Sequence, residues 1–277
     1  MYADDSALVF SGPDPNVVAN VLSTELDTCQ KWLVDNRLSL HLGKTECILF
    51  GTKCRLAKNI DFDVRLGEVL VNRVTSVKYL GVNLDQCLDF SVHVDDIIKK
   101  ASGKLHFLYR NRLFLNRAIR RILCQSLVFS GLEYCASSWY SGITCGLRDS
   151  LNVLQRKCTR FTLNLEPRDH VGDEEFCSLS WLPFPKRIKY FHLVHTYKVR
   201  SGMSPRYLSD HFTLISNVHS YNLRQSNSNF SLAHCSSPIG TFQRSAISEW
   251  NALPADLKSI QSLKVFKTKL KLFLQSS

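Results

Sequence analysis

Asp4 and Asp5 stand side by side, with Tyr2 just before them and the short apolar run Ala7-Leu8-Val9-Phe10 just after. Adjacent aspartates at the mouth of a strand can hold their oxygens forward while the backbone fixes their position. Divalent cations are captured this way in phosphoryl transfer, which uses two ions about 3.5–4 Å apart. One ion activates the attacking oxygen and the other stabilises the leaving group. A solvated turn accounts equally well for an Asp-Asp pair taken alone, so the pair needs context. Other chemistry-bearing residues are weaker. His192 and His195 lie three apart on a predicted helix with Cys177 and His170 upstream, a set that could bind zinc. No second tight pair completes it, and packing histidines explain it more simply. The sequence holds neither a glycine-rich phosphate loop nor a GxSxG elbow.

The elements that must position these residues follow from pattern. Residues 4–10 alternate weakly and predict a short strand with the aspartates at its mouth. The turn SGPDP then leads into a helix with Asp14 as its cap and Pro15 at its first position. Val18, Leu22, Leu26, Cys29 and Leu33 give that helix an apolar stripe. LSLHL (38–42) and ECILFG (46–51) predict strands, as do VRLGEVLVNRV and SVKYLGVNL, the former turning at Gly67-Glu68. Beyond Asp89 the spacing becomes helical. Ile97, Ala101, Leu105 and Leu108 form one stripe, and Asn116 is a candidate cap for a helix with Arg117, Arg120 and Arg121. Leu147, Leu151, Leu154, Cys158, Phe161 and Leu165 form a longer seam, with Arg156, Lys157 and Arg160 off it. LSWLPFPKR breaks the pattern before a helix near 186–200, and SGMSPRYL signals a turn. Residues 216–237 are rich in serine and asparagine and predict a long loop. Two more helices are expected at 239–251 and 261–275.

Charge divides the chain along the same lines. Residues 1–50 carry 3 basic and 7 acidic side chains, residues 51–96 carry 6 and 7, residues 97–210 carry 19 and 8, and residues 211–277 carry 7 and 2, for a net +11 overall. A basic excess on a folded body favours polyanions, and an acidic end suits a divalent cation. The lysine-rich last helix could also touch an anionic membrane. Ten cysteines without a CxxC pair predict reduced thiols. With no secretory signal and no apolar run near the ~20 residues of a membrane span, the expectation is an intracellular protein of nucleus or cytoplasm.

Taken in order, YADD, NRLSLHLGKTE and KYLGV resemble three successive motifs of the reverse transcriptases of non-LTR retrotransposons, the LINE-type elements nearest the jockey and CR1 groups. LQRKCTR, GMSPRYL and FQRSAISEWNALP followed by SLKVFKTKLKLFL resemble the C-terminal region of the same elements, so the resemblance covers essentially the whole chain. It implies an α+β fold: a truncated reverse-transcriptase palm over residues 1–90, a mainly helical thumb over 91–170 and a helical C-terminal region over 171–277. It also implies RNA-templated DNA synthesis with Mg²⁺, deoxynucleoside triphosphates, an RNA template and a DNA primer, with no membrane partner. Asp4 would be a direct metal ligand with Asp5 beside it, and Tyr2 would pack under the primer terminus. Lys44 would protonate the leaving pyrophosphate or orient the incoming triphosphate. Tyr79, Leu80 and Gly81 would form the turn that grips the primer. Arg110, Arg112, Arg117, Arg120, Arg121, Arg156, Lys157 and Arg160 would contact duplex phosphates. The resemblance further implies an essential aspartate on a strand upstream of Tyr2, with fingers and a template-binding helix. One residue precedes Tyr2 here, so residues 1–277 alone are expected to be catalytically inactive. The alternative is a non-catalytic nucleic-acid-binding protein of the same descent.

Overall fold

A computed structural model describes residues 5–58, 60–218, 228–232, 235 and 241–276. The chain divides into two compact units, Met1–His93 and Val94–Ser277.

The first unit is one long helix over a set of short strand pairs. Helix α1 (Pro15–Asp35) begins where expected: the Asp14 carboxylate accepts from the Asn16 N–H at 2.9 Å, and Pro15 opens the first turn. A 3-10 turn (Leu42–Lys44), β1 (Glu46–Cys47) and the short α2 (Lys53–Leu56) follow. Then come β2 (Arg65–Leu66), β3 (Val69–Leu70), β4 (Asn72–Arg73), β5 (Ser76–Tyr79) and β6 (Val82–Asp85). β1 pairs with β4 in parallel; β2–β3 and β5–β6 are antiparallel hairpins. Phe62, Val64 and Leu66 are buried while Asp61, Asp63 and Arg65 between them are exposed, the two-residue period of a half-buried strand. These three pack with Val18, Ala19 and Val71, and Leu22 and Leu26 extend the same face of α1. Helix side chains also finish the backbone bonding. Ser23 Oγ accepts from the Arg65 N–H at 2.9 Å, and Asp27 Oδ1 accepts from the Gly67 N–H at 3.0 Å.

Two expected strands do not form. Residues 6–10 lie outside any ladder, with Leu8, Val9 and Phe10 exposed. A strand exists only where a neighbour takes its N–H and C=O groups, and none of the described strands pairs with this run. LSLHL likewise runs without a ladder and turns into the 3-10 segment, though Leu40 still packs on the core. ECILFG pairs only through Glu46 and Cys47.

From Ser91 the chain is helical: α3 (Ser91–Arg110), α4 (Arg117–Leu123), a π-helical turn over Cys124–Phe129, α5 (Ser130–Glu133), α6 (Ala136–Trp139) and α7 (Cys145–Leu163). α8 (Asp173–Ser178), α9 (Phe184–Arg200), α10 (Arg206–Ser209), α11 (Phe242–Asn251), α12 (Ala255–Lys258) and α13 (Leu263–Ser276) complete it. Asn116 Oδ1 accepts from the Ile119 N–H at 2.9 Å, capping α4 as its sequence predicts. α7 ends at Asn164 in the left-handed region (φ 61°), where Leu165 N–H donates to Arg160 O. Leu151, Leu154, Cys158 and Phe161 are buried along its seam. The core around α9, α11 and α13 holds Tyr197, Trp250, Phe266 and Leu270. Much of the predicted 216–237 loop lies outside the described residues. Among the described residues no helix is long and apolar enough to cross a membrane.

Candidate functional site

Tyr2 and Asp4 lie outside the described residues. Asp5 is exposed, leaving its carboxylate oxygens open to a hard cation. Lys44, also exposed, ends the 3-10 turn; its N–H donates to His41 O at 2.9 Å.

Tyr79, Leu80 and Gly81 are brought together by the β5–β6 hairpin. Tyr79 pairs with Val82, leaving Leu80 and Gly81 as a two-residue turn with φ of 44° and 84°. Positive φ at both positions defines the type I′ turn, whose twist matches that of the flanking strands. Glycine adopts this region without cost, whereas leucine does not, so the tip carries strain at Leu80. Substituting Gly81 with valine is expected to destabilise the first unit by about 1–2 kcal/mol, and asparagine, which tolerates positive φ, by clearly less. Denaturant unfolding of both variants checks this; equal losses would remove the turn argument.

The base of the hairpin is held by a residue that pattern reading missed. Asp85 accepts from three backbone amides, Cys87 at 2.9 Å, Asp89 at 3.1 Å and Phe90 at 2.7 Å. Asp89 in turn accepts from the Ser91 hydroxyl and amide, and Lys53 lies 3.2 Å away. Those Ser91 bonds, then Lys53, hold the Asp89 carboxyl below its ordinary range. The signal was present in DQCLDFS, where aspartates precede backbone amides at turn spacing.

The eight basic candidates separate by what they already bind. Arg120 donates to Leu115 O (2.8 Å), Asn164 Oδ1 (3.0 Å), Arg112 O (3.2 Å) and Phe161 O (3.3 Å), and it lies over the Phe161 ring. It joins the segment before α4 to the end of α7. Arg117 reaches Ser178 O and Oγ, Arg121 reaches Leu179 O, and Arg160 donates to Asp169 O at 2.9 Å. Arg112 is half-buried, whereas Arg110, Arg156 and Lys157 are exposed. Tyr109 on α3 donates to Lys157 O at 3.4 Å and packs edge-on to Phe161, drawing Arg110 towards the helix that carries the other two. Near them Leu113 and Phe114 are 87% and 85% exposed, with Phe107 and Ile122 also open. Exposed aromatics among cations suit base stacking beside phosphate contacts; RNRLFLNR was the overlooked signal.

The histidines pack. His192 is buried with Nδ1 3.1 Å from Glu249 Oε2, and the Phe242 ring sets its edge against both His192 and His195. Among the described residues no group of three metal-ligating side chains comes together.

No family model matches the chain, and no solved structure matches it. Over 215 residues it is 28% identical to the "Retrovirus-related Pol polyprotein from type-1 retrotransposable element R1 2" of Nasonia vitripennis, covering 73% of this chain and 50% of that protein. A second R1 Pol polyprotein of the same organism is 24% identical over 188 residues, covering 66% and 56%. The "RNA-directed DNA polymerase from mobile element jockey" of Drosophila funebris is 27% identical over 164 residues, covering 57% and 17%. The chain thus spans about half the length of the R1 relatives it matches.

Proposed function

Because the chain is a relative of the non-LTR, LINE-type reverse transcriptases, we propose that it is the part of such an RNA-directed DNA polymerase that runs from the catalytic turn through thumb to C-terminal region. The similarity to Pol polyproteins and to a named RNA-directed DNA polymerase carries this reading. The type I′ hairpin at KYLGV supports it, since a strained, glycine-tipped turn allows backbone to approach a ligand closely. In this reading residues 1–90 are a partial palm, 91–170 the thumb and 171–277 a further helical region. Asp4 and Asp5 are the metal ligands, and an oxygen-only pair with Asp5 exposed fits Mg²⁺. Bound there, Mg²⁺ would stabilise charge on the transferring phosphate. Lys44 orients the triphosphate, Tyr2 and the Tyr79–Gly81 turn hold the primer end, and the basic helices follow the template–primer duplex.

Residues 1–277 taken alone supply one carboxylate pair, so we expect them to bind template–primer without extending it. The non-catalytic reading is favoured by one observation. Residues 94–277 carry 26 Lys and Arg against 12 Asp and Glu, a net +14, while residues 1–93 carry 9 against 12. Both readings predict binding to an RNA–DNA hybrid that weakens with salt. The three exposed cations Arg110, Arg156 and Lys157 alone predict a loss of about 40-fold between 50 and 200 mM salt. Fluorescence anisotropy across that range tests it, and changing all three to alanine should flatten the logarithmic slope by about 2.7. Absent or salt-insensitive binding would remove the non-catalytic reading.

A further inference from the structure

A small cleft in the second unit is lined by Gln125, Phe129, Glu133, Trp181, Leu182 and Arg187. Its volume is about 70 Å³, room for roughly two water molecules at about 30 Å³ each. A base or nucleotide is too large, but one small anion is not. Arg187 on α9 is fixed by a two-point ion pair to Glu133, with Nε and an outer nitrogen each 2.8 Å from a carboxylate oxygen. A guanidinium has five N–H donors, so this pair orients Arg187 without exhausting it. Trp181, packed against Phe129 with ring centroids 4.7 Å apart, has a buried indole N–H with no partner among the described residues.

Two further cations converge here from distant parts of the sequence. Lys271, on α13, is pushed below the usual lysine range by its burial, then by the charges of Arg187 and Arg121. Arg121, on α4, bonds Leu179 O through one nitrogen at 3.4 Å. Three cations from three helices thus act on one another beside a single carboxylate, Glu133, which is already engaged by Arg187. Such a convergence is electrostatically unfavourable unless an anion joins it. Guanidinium and ammonium donors together match the tetrahedral, multiply charged oxygens of phosphate.

We propose that Arg121, Arg187 and Lys271 form a phosphate-binding site beside this cleft, one that takes a backbone phosphate of bound nucleic acid. The proposal rests on the nucleic-acid reading and adds a named contact outside the thumb surface described above. The test uses the full chain with a labelled RNA–DNA hybrid, and inorganic phosphate as the free-anion probe. Lys271→Met keeps the packing of the stem and removes the charge; Lys271→Arg restores it. Lys271→Met is expected to weaken hybrid binding about 5- to 10-fold at 50 mM salt and to flatten the salt slope by about 0.9, while Lys271→Arg recovers both. Titration of ¹⁵N-labelled lysine in the wild type should show the Lys271 pKa rising when hybrid binds, because a bound anion favours the charged form. If the wild type binds the hybrid but Lys271→Met matches it and the Lys271 titration does not move, the proposal is wrong and the nucleic-acid reading survives. If the wild type binds no hybrid, the nucleic-acid reading fails and takes the backbone-phosphate proposal with it. A Lys271-dependent thermal shift with inorganic phosphate in that case would assign the site to a free phosphate instead.

Discussion

Replacing Trp250 by alanine is expected to lower the stability of the 94–277 unit by about 3–5 kcal/mol, a large part of the ~5–15 kcal/mol that holds a typical domain. Trp250 has no exposed surface, and its ring centroid lies 6.0 Å from that of Phe266 and 6.4 Å from that of Phe230. The Arg200 guanidinium covers it at 5.9 Å, and its indole N–H donates to Ser228 O at 2.8 Å. The next residue strengthens the same junction. Asn251 accepts from the Phe230 N–H at 3.0 Å and donates back to the Phe230 carbonyl at 2.8 Å. Truncation therefore opens a cavity where α11, α13 and the segment around Phe230 meet. Trp250→Phe keeps much of the apolar area and loses mainly the hydrogen bond, so about 1–3 kcal/mol is expected. Denaturant unfolding followed by far-UV circular dichroism gives both values; a loss below about 1 kcal/mol for alanine would contradict this packing.

What the sequence showed clearly was local. Asp14 and Asn116 announce their helices because a cap needs only amides two or three residues away. The seam of α7 is legible because one helix face repeats every few residues. Strands are different. An alternating run becomes a strand only when a distant segment supplies its partner, and neither Ala7–Phe10 nor LSLHL has one among the described strands. The anchoring side chains were invisible for the same reason. Gln155 is buried, donates to Leu182 O at 2.8 Å and accepts from the Phe184 N–H at 2.6 Å, fixing the proline-bearing break against α7. Nothing near position 155 hints at a partner some thirty residues on. The candidate site divides likewise. KYLGV was found by resemblance rather than by turn chemistry, since Leu-Gly is not a usual type I′ pair. Among the arginines, sequence cannot separate Arg120, which holds four acceptors inside the protein, from exposed Arg156.

Asp4 and Asp5 carry the largest functional prediction. Nucleotidyl transfer through paired cations places carboxylates from more than one strand around the ions, because each ion must meet both the attacking and the leaving side of one phosphate. Residues 1–277 contribute one adjacent pair, whose described member, Asp5, is exposed. On a poly(rA)–oligo(dT) substrate with Mg²⁺, this segment alone should give no extension. Joined to the fingers and first palm strand of an R1 Pol relative, it should extend the primer. In that chimaera Asp4→Ala should reduce extension by at least about 10³-fold, the scale on which misplacing reacting groups costs rate. Asp5→Asn should cost less if Asp5 supports the metal site rather than leading it. Hybrid affinity at 50 mM salt should stay within about twofold for both variants, because duplex contact belongs to the basic helices. That separation is the decisive feature. Equal loss of extension and of binding would place the aspartates in folding rather than in catalysis. Asp4-dependent extension by residues 1–277 alone would show that the second carboxylate source lies within this chain.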